Sequence, residues 1–361
     1  MRGAAESCNT NSHCAHFMTP SPFAPDTYYY TFGAHPPALR IEPDQVVVAP
    51  TIDSDNRDAC GVPVPRAQRQ SGTGLLEGNP VTGPFSVAGA EPGDTLVVHF
   101  EAIEPTRDAA FGAVQSHLAV LGDDMRISGP TGLKPPIVGR RYDWKLDRDR
   151  GVAHLDLPSS RIGDVEIPLH PFLGCVGVAP RWGECIHTVN AGPHGGNMDC
   201  ADLCTGADVH FPVNVPGALL MFGDAHAAQG DGELAGGALE TSASVRFRCR
   251  ILKNRPLRWP RILNDDSLIT LASGRPLIDT LRIAWSEMVL WLESEFGYDR
   301  WDALHVLSQV GQVRVCNAVS PSYTVAAKFP RRLCPLADYR PNTDADLFNI
   351  PSYPPRPFVE G

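Results

Sequence analysis

Side chains that can bind a metal or carry a proton are concentrated within residues 194–240. They form two polar clusters that flank an apolar run at residues 210–222. The polar members are His194, Asn197, Asp199, Asp202, His210, Asp224, His226, Gln229, Asp231, Glu233 and Glu240. Each of them alone is typical of a turn or a solvated loop. Eleven such groups around one apolar run predict a functional site.

The strongest pattern in this stretch is the pair Asp224 and His226, which are separated by one residue at the end of a strand-like segment. In an extended chain, residues i and i+2 point to the same face, so both side chains can reach one ion. Asp199, after a pair of glycines, offers a third donor. A mixed carboxylate and imidazole set suits zinc, iron or manganese, whereas an all-oxygen neighbouring site would suit calcium. We therefore expect a divalent metal, zinc first, with a second ion such as calcium as a further possibility.

The apolar run must position these side chains, and its pattern predicts a β-hairpin. Valine, phenylalanine and leucine dominate it, and Pro216 with Gly217 marks a turn, so that polar groups lie at both ends. The alternation at residues 244–251 predicts a half-buried strand with Arg246, Arg248 and Arg250 on its solvent side. Two late helices are predicted at residues 279–296 and 299–311, where Gly297 ends the first and Asp299 caps the second.

Composition narrows the class of protein. The 361 residues include 33 glycines and 34 prolines, which indicates many turns and short strands. The formal net charge of −10 excludes nucleic acid and anionic membranes as expected partners, because phosphate binding needs a basic face. No run of eighteen apolar residues and no secretory signal is found, so we expect a cytoplasmic protein whose ten cysteines are mostly reduced.

Two motifs, GPHGGNMD at residues 192–199 and FGDAHAAQGDGE at residues 222–233, resemble the hallmark segments of the acetamidase/formamidase family. These proteins are metal-dependent hydrolases of short amides. The similarity extends to PFLGCVGVAP at residues 171–180 and TGPFSVAGAEPGDTLVV at residues 82–98, and it spans about residues 40–330. In this family an Asp-Ala pair after a strand faces the active site, which implies Asp58 as a fourth metal ligand.

The resemblance also implies an architecture, whereas periodicity alone indicates only a β-rich chain with two late helices. The implied fold is mainly β, with a barrel-like N-terminal unit, a jelly-roll-like β-sandwich and a small α+β C-terminal unit. We expect a mobile leader, an N-terminal β unit, a sandwich core with the two motifs, an α+β unit and a Pro-rich tail. Their predicted boundaries are residues 1–37, 38–165, 166–255, 256–334 and 335–361. We also expect a homo-oligomer, a dimer or higher.

Hydrolysis of a short primary amide to a carboxylate and ammonia assigns roles to the remaining polar groups. Glu233 and Glu240 are candidates for shuttling a proton from water to the leaving nitrogen, with Asp231 a weaker one. The Asn197 amide, or the backbone N–H groups of the neighbouring glycines, is a candidate for the oxyanion donor. His194 is expected to orient a ligand. A small neutral amide, formamide or acetamide first, suits a site so rich in carboxylates.

Two alternatives come from other classes of protein. A non-catalytic β-sandwich that binds its ligand through calcium would suit acid-rich loops, but it would not use His226 as a ligand. A non-haem iron oxygenase would read Asp224 and His226 as part of a facial triad, which needs His194 or His210 as the second histidine. The chain carries no G-x-S-x-G elbow and no strand-linked G-x-G-x-x-G, so a serine hydrolase or a dinucleotide enzyme is not supported.

Overall fold

The computed structural model describes residues 21–122 and 137–334. Strands dominate these residues, and the prediction of a mainly β fold is confirmed. Two helices lie late in the chain, α1 at Leu277–Phe296 and α2 at Arg300–Val310. Within the described ranges, neither is long and apolar enough to span a membrane.

The strands of the described residues are numbered in chain order. The first twelve are β1 Ser21–Pro22, β2 Tyr28–Tyr29, β3 Thr31–Phe32, β4 Leu39–Ile41, β5 Val47–Pro50, β6 Arg69–Gln70, β7 Val81–Val87, β8 Thr95–Pro105, β9 Ala109–Val114, β10 Arg140–Asp147, β11 Val152–Leu157 and β12 Gly163–Pro168. The others are β13 Phe172–Gly177, β14 Ile186–His187, β15 Ala191–Gly192, β16 Gly195–Asn197, β17 Asp208–Pro212, β18 Leu220–His226, β19 Glu240–Thr241, β20 Ala243–Leu252, β21 Arg261–Leu263, β22 Ser267–Gly274, β23 Gln312–Asn317 and β24 Tyr323–Pro330.

Two large sheets organise the described part of the chain. The first has the strand order β1-β5-β20-β8-β17-β21-β22-β24-β23. The second runs β12-β11-β10-β9-β19-β18-β13-β16-β15, and β7 joins it beside β18 and brings in β2, β4 and β6. Strands β3 and β14 form a separate small ribbon. Both large sheets draw strands from either side of residue 165, and the predicted unit boundaries stay predictions.

The main hydrophobic core lies between the two sheets. Phe85 and Phe222 enter it from the second sheet, and Phe100 and Phe247 enter it from the first. The Phe247 ring lies 5.0 Å from Phe85 and 5.1 Å from Phe222 between centroids, both edge to face. Strand β20 shows why the sheets face one another: its alternate residues are buried, as the sequence predicts. Its outward arginines pair with acids, Arg246 and Arg248 with Glu101.

The predicted hairpin at residues 210–222 is wrong in its pairing, although both of its strands exist. Strand β17 pairs with β8 and β21 in the first sheet, while β18 pairs with β13, β19 and β7 in the second. The link between them therefore passes from one sheet to the other instead of folding back. Ala218 and Leu219 make the crossing with φ values of 57° and 59°. Phe211 and Phe222 can then both face the core, from opposite sheets.

The predicted leader and tail lie partly outside the described residues. Residues 1–20 of the leader and the whole Pro-rich tail, residues 335–361, are in that position. Residues 21–37, predicted as part of a mobile leader, are partly packed against the rest of the described chain, because aromatic side chains of this segment enter the interior. Tyr30 and Phe32 are fully buried, and β3 pairs with β14.

Both predicted helices are present and pack on the first sheet near β22 and β24. Together they form a second core around Met288, Trp291 and Leu292. Gly297 ends α1 with φ 71° and donates its N–H to the Leu292 carbonyl. Asp299 accepts hydrogen bonds from the backbone N–H groups of the next turn and caps α2. The sequence predicts these ends because caps are local chemistry.

Candidate metal centre

Five of the acidic and imidazole side chains predicted from the sequence come together at the end of β18. Asp199, Asp224 and His226 place one donor atom each within 4.8 Å of one another, and so do His226, Glu233 and Glu240. The two groups share His226. Its Nε2 lies 3.4 Å from Asp224 Oδ1 and 3.4 Å from Glu240 Oε1. The five residues are called the acid cluster below.

The backbone turns sharply at three members of the acid cluster. Asp199, Asp224 and Glu233 have φ values of 44°, 57° and 51°. Side chains other than glycine rarely adopt this region, and strained residues of this kind concentrate at functional sites. Asp224 and His226 therefore meet through a distorted strand end, not through the regular alternation that the sequence predicts.

His226 is oriented by Gln229, which fixes the tautomer of the ring. Gln229 Nε2 donates to the carbonyls of Asp199 and Cys316, at 2.9 and 3.1 Å. Its Oε1 therefore faces His226 Nδ1, 2.9 Å away, and accepts the Nδ1 hydrogen. Nε2 is then the ring nitrogen that points into the acid cluster, as in a histidine that ligates a metal.

The buried carboxylates of the acid cluster need a nearby positive charge to stabilise their ionised forms. Burial raises the pKa of Asp199 to about 7, and burial also raises the pKa values of Asp224 and Glu233. Burial alone would lower the pKa of His226, but Glu240 and Asp224 raise it well above its usual value. Burial opposes ionisation of Glu240, yet His226 and hydrogen bonds lower its pKa. Among the described residues, no lysine or arginine pairs with these carboxylates.

Two donor atoms and one glycine show that the residues fit a divalent ion. Asp199 Oδ1 and His226 Nε2 are buried without a hydrogen-bond partner. Gly174 of β13 lies beside them, and a Cβ there would come within 2.5 Å of Asp199 Oδ1 and 2.6 Å of Asp224 Oδ2. Buried polar atoms normally find partners, and two carboxylates with an imidazole suit zinc, iron or manganese.

The acid cluster is enclosed on most sides. Glu233 and Glu240 are its most exposed members, at 9% and 7%, so the approach lies on their side. A cavity of about 600 Å³ on the surface is lined instead by residues such as Ile103, Arg148 and Leu169, and no member of the acid cluster borders it. Volume alone therefore does not mark the site, and the donor chemistry does.

Asp58, the predicted fourth ligand, is not grouped with the acid cluster. Its Oδ1 accepts the backbone N–H groups of Cys60 and Val62, both at 2.9 Å, and so holds its own loop. Ser54 of the same loop reaches the cluster instead, donating to Glu240 Oε2 at 2.9 Å. The loop that the resemblance indicates thus contacts the acid cluster through Ser54, and Asp58 as a fourth ligand stays a prediction.

Two further residues with predicted catalytic roles, Asn197 and His194, make other contacts in the structure. Both N–H groups of the Asn197 amide are used, since Nδ2 donates to Asp199 Oδ2 and Ser320 Oγ at 2.9 and 3.1 Å. It is therefore a support for Asp199 rather than a free oxyanion donor. His194 is buried against Phe32, and burial lowers its pKa to about 4. Its Nε2 has no partner and makes no hydrogen bond to a ligand.

Three further residues at the cluster escape sequence reasoning. Asn79 donates to Asp224 Oδ2 at 2.7 Å, and Asn317 donates to Asp199 Oδ2. Cys175 is fully buried, as the sequence predicts, and burial raises its thiol pKa well above the usual value, which argues against a nucleophile. Its Sγ nevertheless donates to Asn197 Oδ1 at 2.8 Å. In the sequence these residues lie in the short segments GNP, GCVG and VCN, none of which indicates a role at a metal site.

Comparison with known proteins shows which family this chain resembles. The profile of the Acetamidase/Formamidase family matches residues 182–264, which include the whole acid cluster. A candidate formamidase of Schizosaccharomyces pombe is 30% identical over 212 residues, and a formamidase of Methylophilus methylotrophus is 28% identical over 211. Each match covers 48% of this chain and 52% of the relative, so the chain spans about half the length of these curated relatives.

A solved structure matches over nearly the full length. The acetamidase from Yersinia enterocolitica is 33% identical, with a TM-score of 0.72, and the match covers 85% of this chain and 90% of that one. Identity at this level over most of both chains is accompanied by the family profile on the segment that holds the acid cluster. The chain belongs to the acetamidase/formamidase family.

Proposed function

We propose that this protein hydrolyses a short primary amide to a carboxylate and ammonia at the acid cluster. The observation that carries the proposal is the grouping of Asp199, Asp224 and His226, in which one donor atom of Asp199 and one of His226 are buried without a hydrogen-bond partner. These three residues would hold a divalent metal, zinc first. Bound there, it would supply a Lewis acid for the amide carbonyl and for water. A second ion such as calcium stays a prediction, since the second group of donors shares His226.

Proton transfer is assigned to Glu233, with Glu240 as the other candidate carboxylate. Burial raises the pKa of Glu233 well above its usual value, whereas His226 and Ser54 help to keep Glu240 ionised. Carboxylates with such different environments divide acid and base roles in many hydrolases. In its ionised form, which a bound divalent ion would favour, Glu233 takes one proton from the attacking water as the C–O bond forms. It then passes this proton to the nitrogen as the C–N bond breaks, so that ammonia leaves.

The substrate class follows from charge and space. The four carboxylates of the acid cluster would repel an anionic substrate, and the outward arginines of β20 already pair with Glu101 and Asp208. Glu233 and Glu240, the most exposed members of the acid cluster, are themselves only 9% and 7% exposed. A small neutral amide, formamide or acetamide first, needs no counter-ion and fits an approach past these two side chains.

Residues 181–190 form part of the surroundings and are a reason to test larger amides. Strand β14 in this segment pairs with β3, and the Thr188 carbonyl accepts from Cys175 Sγ at 3.4 Å. Trp182 is 88% exposed. The segment therefore supports one wall of the site while presenting an aromatic ring to solvent.

The proposal is tested by metal analysis of the purified protein together with ammonia release from an amide panel. We expect about one equivalent of divalent metal, and the highest kcat/KM with formamide or acetamide. Asp224→Ala and His226→Ala should lose the metal, while Asp58→Ala should retain it. Full metal occupancy in both cluster variants would contradict the metal assignment. Preference for an aryl or N-substituted amide would contradict only the substrate class.

The two alternatives find less support. A calcium-only module has no use for a histidine whose Nε2 points into the donor set. A facial triad needs a second histidine, but His210 packs against Trp291 and His194 is not grouped with the cluster. Oxygen uptake measured beside ammonia release separates the oxygenase from the hydrolase. Cytoplasmic location and assembly into a homo-oligomer stay predictions, the second testable by light scattering.

A further inference from the structure

We propose that Asn79 and Asn317 are positioning residues, which hold the Oδ2 oxygens of Asp224 and Asp199 respectively and thereby fix the direction of each carboxylate. The inference rests on the proposed function, because it concerns the same metal site. Neither residue lies in the segment that the family profile matches. They reach the acid cluster from distant parts of the chain, one ahead of β7 and the other at the end of β23.

Asn79 holds Asp224 from the loop that precedes β7. Its Nδ2 donates to Asp224 Oδ2 at 2.7 Å and to Asn197 Oδ1 at 2.8 Å. Both partners are acceptors, so the amide can be oriented in only one way. The other oxygen of Asp224, Oδ1, lies 3.4 Å from His226 Nε2. One oxygen is thus fixed by the amide, and the other is left towards the centre of the site.

Asn317 treats Asp199 in the same manner. Its Oδ1 accepts the backbone N–H groups of Val319 and Ser320, both at 2.9 Å, which forces Nδ2 towards Asp199 Oδ2. Asn197 donates to the same oxygen at 2.9 Å. Asp199 Oδ1 is left buried and without a partner. Both aspartates therefore have Oδ2 held by amides, while Oδ1 of Asp224 faces His226 and Oδ1 of Asp199 has no partner.

The choice of amides has a physical reason. An arginine or lysine at either position would neutralise the aspartate and compete with a metal for its charge. An amide N–H fixes the direction of a carboxylate but leaves its full negative charge for the ion. Groups that hold metal ligands in this way contribute typically about 10- to 100-fold to metal affinity or activity.

The test compares Asn79→Leu with wild-type protein and with the control Asn214→Leu. Leucine removes the donor without adding charge. Asn214 is another half-buried asparagine, and its amide contacts Arg181 and the Ala179 carbonyl instead of a member of the acid cluster. Affinity for Zn²⁺ and Co²⁺ is measured by chelator competition, and the visible spectrum of the Co²⁺ protein reports ligand geometry. The thermal midpoint of the metal-free protein reports structure alone. Asn317→Ser is a second variant. If this substitution at a buried position prevents folding, Asn79→Leu alone decides the result.

We expect Asn79→Leu to bind both ions about 10- to 100-fold more weakly and to change the Co²⁺ spectrum, while Asn214→Leu retains both properties. Wild-type affinity and spectrum in Asn79→Leu would overturn the positioning role and leave the proposed function intact. A lowered midpoint of the metal-free protein with an unchanged spectrum would also overturn it, in favour of a structural role. Failure of the wild-type protein to bind either ion would overturn the proposed function, and this inference with it.

Discussion

Gly174 shows how much of the site depends on a single hydrogen atom in place of a side chain. It lies in β13 opposite the distorted end of β18, where a Cβ would enter the space between Asp199, Asp224 and His226. The residue contributes no donor atom. Its role is to leave room, and room between donors is the property that a metal site needs before any ligand chemistry.

Gly174→Ala is expected to lose metal affinity and to destabilise the fold by about 1–3 kcal/mol, because the added methyl group overpacks the acid cluster. Chelator competition and denaturant unfolding measure the two effects. Gly230→Ala is the matched control, since φ is −84° there and nothing lies within 4 Å of the added Cβ. Equal behaviour of the two variants would show that the space beside Gly174 is not needed.

Glu233→Gln is expected to keep the bound metal and to lose about a hundredfold or more in kcat, since glutamine preserves shape but carries no proton. Asp231→Asn in the same turn is the control, because Asp231 is exposed and pairs with Arg314. Steady-state ammonia release and metal analysis measure both. If Glu233→Gln remains active, the same change at Glu240 tests whether that carboxylate takes the role.

The sequence was most informative where donors lie close together along the chain. Asp199, Asp224 and His226 come from two motifs and are grouped in the structure, and their role as ligands stays a prediction. Asn79 and Asn317 could not be found, because 145 residues separate Asn79 from Asp224 and 118 separate Asn317 from Asp199. No local pattern reports contacts over such distances.

At the scale of elements, the late helices depend on local patterns in the sequence, whereas the strands of the site depend on contacts between distant residues. The caps of α1 and α2 are local, and their positions were predicted to within two residues. The pairing of β17 and β18 is not local. Their apolar pattern indicates two strands, but which sheet each joins depends on partners such as β8 and β13 elsewhere in the chain.

Asp299→Ala is expected to lower the free energy of unfolding by about 1 kcal/mol, because the N–H groups of Trp301 and Asp302 lose their acceptor. Asp299→Asn keeps a capping oxygen and should retain most of that stability. Denaturant unfolding measures both variants, and amide hydrolysis should be unchanged in each. A larger loss in the asparagine variant than in the alanine variant would contradict the capping role.

At the scale of the whole molecule, the two sheets bury some polar side chains as well as the apolar core. His210 is an example from the first sheet, where it lies in β17 against Trp291 of α1. Burial lowers its pKa to about 4, below the usual value of about 6.5 in an unfolded chain. The folded protein therefore takes up this proton only at lower pH than the unfolded chain does.

We expect His210 to make the fold progressively less stable as the pH falls from about 6.5 to about 4, with no contribution above that range. The loss approaches about 3 kcal/mol, since each pKa unit corresponds to about 1.4 kcal/mol. His210→Gln should flatten the dependence of unfolding free energy on pH over this range. The control His117→Gln, at an exposed position, should follow the wild-type curve. An unchanged slope in His210→Gln would contradict the assignment.

The enclosure of the acid cluster has a consequence for how the protein acquires its ion. Asp199, Asp224 and His226 are at most 2% exposed, so a bound ion would exchange through the approach past Glu233 and Glu240, which are themselves only 9% and 7% exposed. Exchange should then be slow, with a rate limited by local opening at that approach rather than by the intrinsic lability of the ion. Occupancy would be decided while the chain folds, by whichever divalent ion is then abundant. Protein produced in media of different metal content should keep those different ions through purification.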